Sequence, residues 1–271
     1  MKHVRTIIFL LLLGTLAVTL VKPARGFTAS SFTQQNGDWY DNWSIDRNDA
    51  GVNGHLPGYL PNIASETLGE NAELAYSIGQ QFINEYPTKT DRAVAILKYV
   101  QTWTYYAYDS DTFFRNGVAQ EEWAQNADEF AHAFNQTTGV KAPGDCEDMA
   151  FLCATIYVGA GFDAAAVDAT DHCACLIWLP DFQNANYYWD LNDGRGAGWV
   201  WVEATGSSNP LGWTPDDFTD GGWTAYQINS QPYVQRTPVS TGSSSNNVDY
   251  LSIIVSIIIA IIVAIIRFRR T

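Results

Sequence analysis

Cysteine is scarce in this chain, and it is confined. The 271 residues hold four, Cys146, Cys153, Cys173 and Cys175, all within residues 146–175. Such clustering excludes a disulfide framework stapled across a secreted fold. No C-x-x-C pair occurs, so the spacing is not that of a zinc finger either. Cys173 and Cys175 share one face of a strand and are poorly placed to bond each other. Histidine is equally scarce, with only His3, His55, His132 and His172. Basic residues are few away from the two ends. Residues 27–249 hold eight Lys and Arg against all 29 Asp and Glu, a net charge of −21. A surface of that sign argues against nucleic acid or anionic lipid as ligand. It suits an acidic soluble exterior, a cationic substrate or divalent cations. Internal repeats are absent.

Long apolar runs occur only at the ends. Residues 1–5 are basic, 6–21 almost wholly apolar, and 22–26 read Lys-Pro-Ala-Arg-Gly. That order reads as a secretory signal cleaved before Phe27, with an uncleaved signal anchor as the alternative. Residues 250–266 carry no charge, are rich in isoleucine and run directly into Arg267, Arg269 and Arg270. A core helix would not be apolar on every face and stop at an arginine cluster, so this segment reads as a transmembrane helix. By the positive-inside rule residues 267–271 form a cytoplasmic tail and residues 27–249 lie outside. The expected arrangement is single-pass, or two-pass if the N-terminal signal is retained. Residues 237–249, with Thr-Gly-Ser-Ser-Ser-Asn-Asn, read as a flexible stalk.

Between the ends the pattern changes from helix to strand. Residues 27–62 show no period and read as loops. Leu68, Leu74, Ile78 and Phe82 fit a helix over 65–86, ended by Pro87. Thr88 and Asp91 resemble a capping box for a second helix over 91–103, carrying Val94, Leu97, Lys98 and Gln101. Residues 104–109 read as an aromatic extended piece, followed by a short acidic helix near 128–134. An apolar helix over 149–158 is closed by Gly159 and Gly161. Strands are expected over 164–167, 172–179, 187–191 and 199–203, with Asn192-Asp193-Gly194 as a hairpin turn. Helices first and antiparallel strands after them describe an α+β domain. The expected division is an irregular and helical region over 27–87 and the main domain over 88–236.

The informative residues are Gly144-Asp145-Cys146-Glu147-Asp148-Met149-Ala150. Pro143 and Gly144 make a turn, and a helix begins at or just after Cys146. A cysteine there meets the positive end of the helix dipole, which favours thiolate. The three flanking acids act the other way, so a histidine partner is needed. His172 opens the strand that follows the cysteine helix and can approach the helix start, as thiol catalysis requires. An ordinary buried thiol and a structural strand histidine are the competing readings. Asn42-Trp43-Ser44 and Asn135-Gln136-Thr137 are glycosylation sequons.

A Gly-Asp-Cys-Glu-Asp turn entering an apolar helix, a strand opened by histidine and a further strand ending in an acid resemble the transglutaminase-like superfamily. Residues 103–111, Trp-Thr-Tyr-Tyr-Ala-Tyr-Asp-Ser-Asp, are similar to the segment that precedes the cysteine in such domains. The resemblance spans about residues 88–218 and implies a papain-like core in which a thiolate attacks a carboxamide or peptide carbonyl. It implies Cys146 as nucleophile, His172 as proton shuttle and an acid orienting His172. Many members carry Asp-Pro-Thr at the acid; this chain reads Glu203-Ala204-Thr205-Gly206, similar to a subgroup with Glu-Thr-Thr-Gly. Glu203 is the preferred acid, with Asp190 as the alternative. Asp145 and Glu147 match the Asp-Cys-Glu triplet of bacterial transglutaminase-like cysteine proteinases, in which it implies calcium binding. The competing reading is acids that complement the helix dipole. Asp148 would supply a third carboxylate, and Asp109 and Asp111 would add ligands or form a turn. Trp103, Tyr106 and Trp123 are candidates for the cleft wall. The function implied is a thiol hydrolase of peptide or amide bonds that requires no cofactor beyond such a calcium ion. A glutamine–amine transferase using the same residues, or a binding domain with the same fold, are the alternatives. The implied partners are a protein or peptide substrate and the membrane; no residue pattern bears on oligomeric state.

Overall fold

The computed structural model describes residues 31–51, 58–66 and 74–228. The expected signal, stalk, transmembrane helix and basic tail lie outside the described residues, as do Leu68 and His55. Among the described residues, no helix is long and apolar enough to cross a membrane.

The chain opens with a hairpin, β1 (Phe32–Gln35) and β2 (Asp38–Asp41), closed by Asn36-Gly37, both at positive φ. Such a pair suits the tight turn that matches strand twist. The loop expected over 27–62 is therefore partly strand, and it also holds a short helix, α1 (Leu60–Glu66). Next come α2 (Leu74–Glu85) and α3 (Lys89–Trp103). The 65–86 helix is thus helical at 65–66 and from Leu74 onward. Thr88 caps α3 as expected, accepting from the Asp91 amide. The buried face of α3 is Arg92, Ala93, Ile96, Leu97, Val100 and Gln101. Val94 and Lys98, placed with the apolar set above, face solvent, because 3.6-residue periodicity puts them opposite Ile96.

Three small pieces follow: β3 (Thr104–Tyr106), α4 (Asp109–Thr112) and the hairpin of β4 (Phe114–Arg115) with β5 (Val118–Ala119). Then come α5 (Ala127–Ala133), closed at its start by a capping box between Asn126 and Glu129, and β6 (Ala142–Gly144). β6 pairs in parallel with β3. The helix α6 (Cys146–Gly159) comes next, and it is buried on every face from Glu147 to Tyr157. α2 crosses α6 at glycines: a Cβ on Gly79 would sit 2.0 Å from the Ile156 carbonyl oxygen, and one on Gly159 2.1 Å from that of Tyr76. The two backbones meet with no side chain between them.

The main sheet has the order β10–β7–β8–β9 and is antiparallel throughout: β7 (Ala164–Ala169), β8 (His172–Trp178), β9 (Trp199–Val202) and β10 (Thr224–Ile228). Alternation divides its two faces. Cys173, Cys175, Ile177, Val200 and Val202 join the large core against α6. Ala174, Leu176, Trp199 and Trp201 face a second cluster, covered by Trp189, Phe218 and Trp223. The large core draws on residues on both sides of Pro87, from Ile45 to Ile228. The α+β class expected from the sequence holds.

The strand expected over 187–191 is not formed. Only Trp189 bridges to Trp199. Asn186 instead bonds to the 212–214 segment, donating to Gly212 O and Thr214 O and accepting from Thr214 N. The reversal at Asn192-Asp193-Gly194 is present, with Asn192 and Gly194 at positive φ. β10, at the opposite edge of the sheet, was not expected.

Candidate active site

The β3–β6 pairing delivers the chain to the start of α6. Gly144 is confined there: a Cβ would lie 2.6 Å from Asp148 Oδ2 and 2.7 Å from the Phe130 ring. Asp145 takes the N-cap position with an extended backbone, and Cys146 is the first helical residue, as expected. It is half-buried and a free thiol, as are the buried Cys153, Cys173 and Cys175.

The two-residue turn Thr170-Asp171, with Asp171 at φ 54°, joins β7 to β8 and makes His172 the first residue of β8. Cys175 pairs with Val202. Continuing that register by one residue sets Glu203 opposite Ala174 and diagonal to His172, within reach of a long side chain. His172 Nε2 lies 2.9 Å from Glu203 Oε2, the ring is near enough to Cys146 for each to shift the other's pKa, and the Cys146 thiol itself donates to Glu147 Oε2 at 3.4 Å. Because Nε2 is engaged by Glu203, Nδ1 is the nitrogen open to the thiol.

Glu203, buried, is held by four donors in all. Besides His172, Trp201 Nε1 donates to Oε2 at 3.2 Å, and the Thr205 amide and hydroxyl donate to Oε1. The His172 ring stacks on Phe218, centroids 5.1 Å apart, and Trp201 stacks on Phe218 as well. Trp201, Thr205 and Phe218 were not singled out from sequence; the Trp-x-Glu-x-Thr spacing is the signal that carries the first two. Asp190 is exposed and accepts from the Asn192 amide in its own turn. The acid beside His172 is Glu203.

Burial pulls the His172 pKa down, but hydrogen bonds to Cys146 and Glu203 and the charge of Glu203 outweigh it and raise it to about 10. Burial acts upward on Glu203, yet its donors, His172 foremost, hold its pKa below the usual carboxylate value. A hydrogen bond to Cys173, then burial, pushes the Cys146 thiol well up, with His172 opposing. As it stands, the site is a thiol beside an imidazolium. The His172 shift has a definite sign. The folded-state pKa lies above the unfolded value of about 6.5, so its contribution to stability is full below that value. It is lost as pH rises through about 10. An NMR titration of the His172 ring is expected to show it still protonated at pH 8 and to show Glu203→Gln moving the transition down. Titration of the wild-type ring at its ordinary value would refute the pairing.

Under the thiol lies a group of acids with no cation beside them. Oxygens of Asp109, Glu122 and Glu147 lie within 4.8 Å of one another, as do those of Asp109, Asp145 and Asp148. Gln125 donates twice to Asp148, the Trp123 amide donates to Asp109, and Tyr59 donates to Glu122. Three buried oxygens still have no partner: Asp109 Oδ1, Asp145 Oδ1 and Glu147 Oε1. None of the ion pairs among the described residues involves these five acids. Burial is the largest cause that raises the pKa of each, Asp109 to about 8. Unpaired oxygens in the interior are costly, and a donor set made only of hard oxygens fits a hard divalent cation. Asp145 and Glu147 were expected here, and Asp148 and Asp109 were weighed; Glu122 and Tyr59 were not. Asp111 is exposed.

Tyr106 is exposed beside the site, its phenol pKa raised by burial and then by the nearby Cys146. It lines a recess of about 250 Å³ with Tyr105, Lys141, Met149, Ala204 and Thr205. Trp103 lines a separate recess, with Phe82 and Tyr99. Trp123 is 2% exposed and packs inside against Phe32, Phe113 and Arg115. Asn135 is exposed and Asn42 half-buried.

No family model, curated protein or solved structure matches this chain.

Proposed function

We propose that this chain is a thiol hydrolase of peptide or amide bonds with a transglutaminase-like core, acting through an acyl-enzyme at Cys146. One observation carries the reading. Three residues from separate elements meet in nucleophile–base–acid order, with His172 beside Cys146 on one side and 2.9 Å from Glu203 on the other.

In the proposed reaction Cys146 loses its proton to solvent, because His172 is already the imidazolium, and the thiolate sulfur attacks the carbonyl carbon. The imidazolium gives its proton to the leaving amine. Water, deprotonated by the neutral imidazole so formed, then releases the acid and restores the thiolate and the imidazolium. Glu203 keeps the ring in the required tautomer and orientation. An amine in place of water would give the transferase reaction with the same residues. Membrane anchoring through residues 250–266, with the thiol site outside the cytoplasm, belongs to this reading on sequence alone. So does the absence of nucleic acid among the partners.

Asp109, Glu122, Asp145, Glu147 and Asp148 would hold a calcium ion beneath the site. A bound cation would cancel the negative field that Asp145 places on Cys146, and so ease the loss of the thiol proton. Thermal melting is expected to rise by several degrees with calcium and to fall back with chelator. At a hundredfold excess over Kd, binding stabilises by about 2.7 kcal/mol. The Asp109→Asn variant is expected to lose most of that response. A chelator-insensitive melt, in protein shown to contain no calcium, would leave the acids as dipole partners only.

Brief treatment with iodoacetamide, followed by mass mapping, tests the thiol reading. Cys146 is expected to be alkylated far ahead of Cys153, Cys173 and Cys175, and cleavage of a peptide panel to fall in step. Equal labelling of all four, or a full loss of labelling selectivity without any amide cleavage, would favour the binding-domain reading.

A further inference from the structure

The cysteines form two rungs between one helix and one strand. Cys146 and Cys153 lie two turns apart on α6, and Cys173 and Cys175 are alternate residues of β8 on the face turned toward that helix. The sulfurs of Cys146 and Cys173 lie within 4.8 Å of each other. Burial and the neighbouring Cys153 push the Cys175 thiol up, and Cys175 Sγ donates to the Leu176 carbonyl at 3.5 Å. The rungs differ in depth. Cys153 and Cys175 are 0% exposed, whereas Cys146 is half-buried at the mouth of the site. An oxidant in solution therefore meets the outer rung first, and through Cys146.

We propose that Cys146 and Cys173 are a reversible disulfide couple that takes the thiol site out of service when a low-molecular-weight disulfide is present. Cys146 sulfur attacks one sulfur of that disulfide, breaking its S–S bond and releasing one small thiol. The Cys173 sulfur then attacks Cys146 Sγ, displacing the second small thiol and closing the protein bridge. Two protein thiols are oxidised, one small disulfide is reduced to two thiols, and the protons of Cys146 and Cys173 leave on those thiols. The second step is intramolecular between groups already neighbours, which favours the bridge over a lasting mixed disulfide. Closing it requires the sulfurs to approach to about 2.05 Å by rotation about the side-chain bonds. Cys173 is not among the residues that would act on an amide; beside the nucleophile, its place is that of a resolving thiol.

The couple adds regulation to the proposed thiol site and rests on that reading only for its effect on activity. The test is a glutathione series, from reduced to oxidised, on the full chain. Free thiols are trapped with N-ethylmaleimide after unfolding, and non-reduced chymotryptic peptides are read by tandem mass spectrometry. The expected result is one bridge, Cys146 to Cys173, with Cys153 and Cys175 still alkylated. Cys173→Ser is expected to hold a glutathione mixed disulfide on Cys146 instead. Amide cleavage is expected to disappear as the bridge forms and to return with dithiothreitol. A stable mixed disulfide on Cys146 in the wild type, or a Cys153–Cys175 bridge forming as early, would overturn the couple even if Cys173→Ser failed to fold. A bridge in a protein with no amide cleavage to lose would leave the couple standing and remove the hydrolase reading.

Discussion

Cys146→Ala is expected to melt with the wild type and to cleave no amide above background, a loss of roughly three orders of magnitude or more. The side chain is half-buried at the first position of α6, so its removal deletes the proposed nucleophile with little loss of packing. His172→Ala is expected to cost nearly as much, because groups that act as a unit do not contribute additively. Glu203→Ala should cost about one to two orders less, since in the proposed reaction Glu203 positions the imidazole and forms no bond to substrate. Asp190→Ala should leave turnover unchanged, because that carboxylate is exposed and serves its own turn. Initial rates on a peptide panel, with circular dichroism on each variant, measure all four. Full activity in folded Cys146→Ala would end the thiol mechanism.

Arg47→Met is expected to produce the largest loss of stability, about 3–5 kcal/mol, because it strands charges that are out of water. Arg47 is 0% exposed. Its Nε donates to Asp41 Oδ2 at 2.8 Å, and its Nη1 donates to Glu129 Oε2 at 2.9 Å and to the Ala124 carbonyl at 2.7 Å. Asp41 also accepts the Trp43 and Ile45 amides, and Glu129 closes the capping box of α5. One guanidinium thus ties the N-terminal hairpin to a helix 82 residues away. For a folded unit of this size the loss corresponds to a melting temperature lower by roughly 10 °C. Adding Asp41→Asn and Glu129→Gln should recover part of it, since no uncompensated charge then remains. A melt within 2 °C of wild type for the single variant would show that water reaches these carboxylates.

The local chemistry of the site was legible because each signal sits within a few residues. Pro143-Gly144 marks the turn before Cys146, Thr88 and Asp91 mark a helix start, and His172 and Glu203 sit at strand ends. The acid group was only half legible. Asp145 and Glu147 flank Cys146 and Asp109 was weighed, but Glu122 arrives from another segment, and no spacing rule brings it there. Alternation places Cys173 on the helix side of β8, whereas its distance from Cys146 depends on how α6 crosses the strand. Strand errors have a common cause. β1, β2 and β10 have four or five residues, too few for a period to emerge, although Asn36-Gly37 was a turn signal in plain view. The 187–191 segment has the composition of a strand, but Asn186 binds a loop instead of a neighbouring strand.

The glycine contact between α2 and α6 has a consequence for the tempo of the site. With the backbones of Gly79 and Gly159 touching those of Ile156 and Tyr76, α6 has no side-chain cushion to yield in small steps. The amides of α6 near that contact are expected to be among the slowest to exchange. The cysteine therefore heads a helix that is held fast at its far end. Motions that would admit a substrate of the proposed reaction are expected from the rim, where Tyr105, Tyr106 and Tyr108 are exposed.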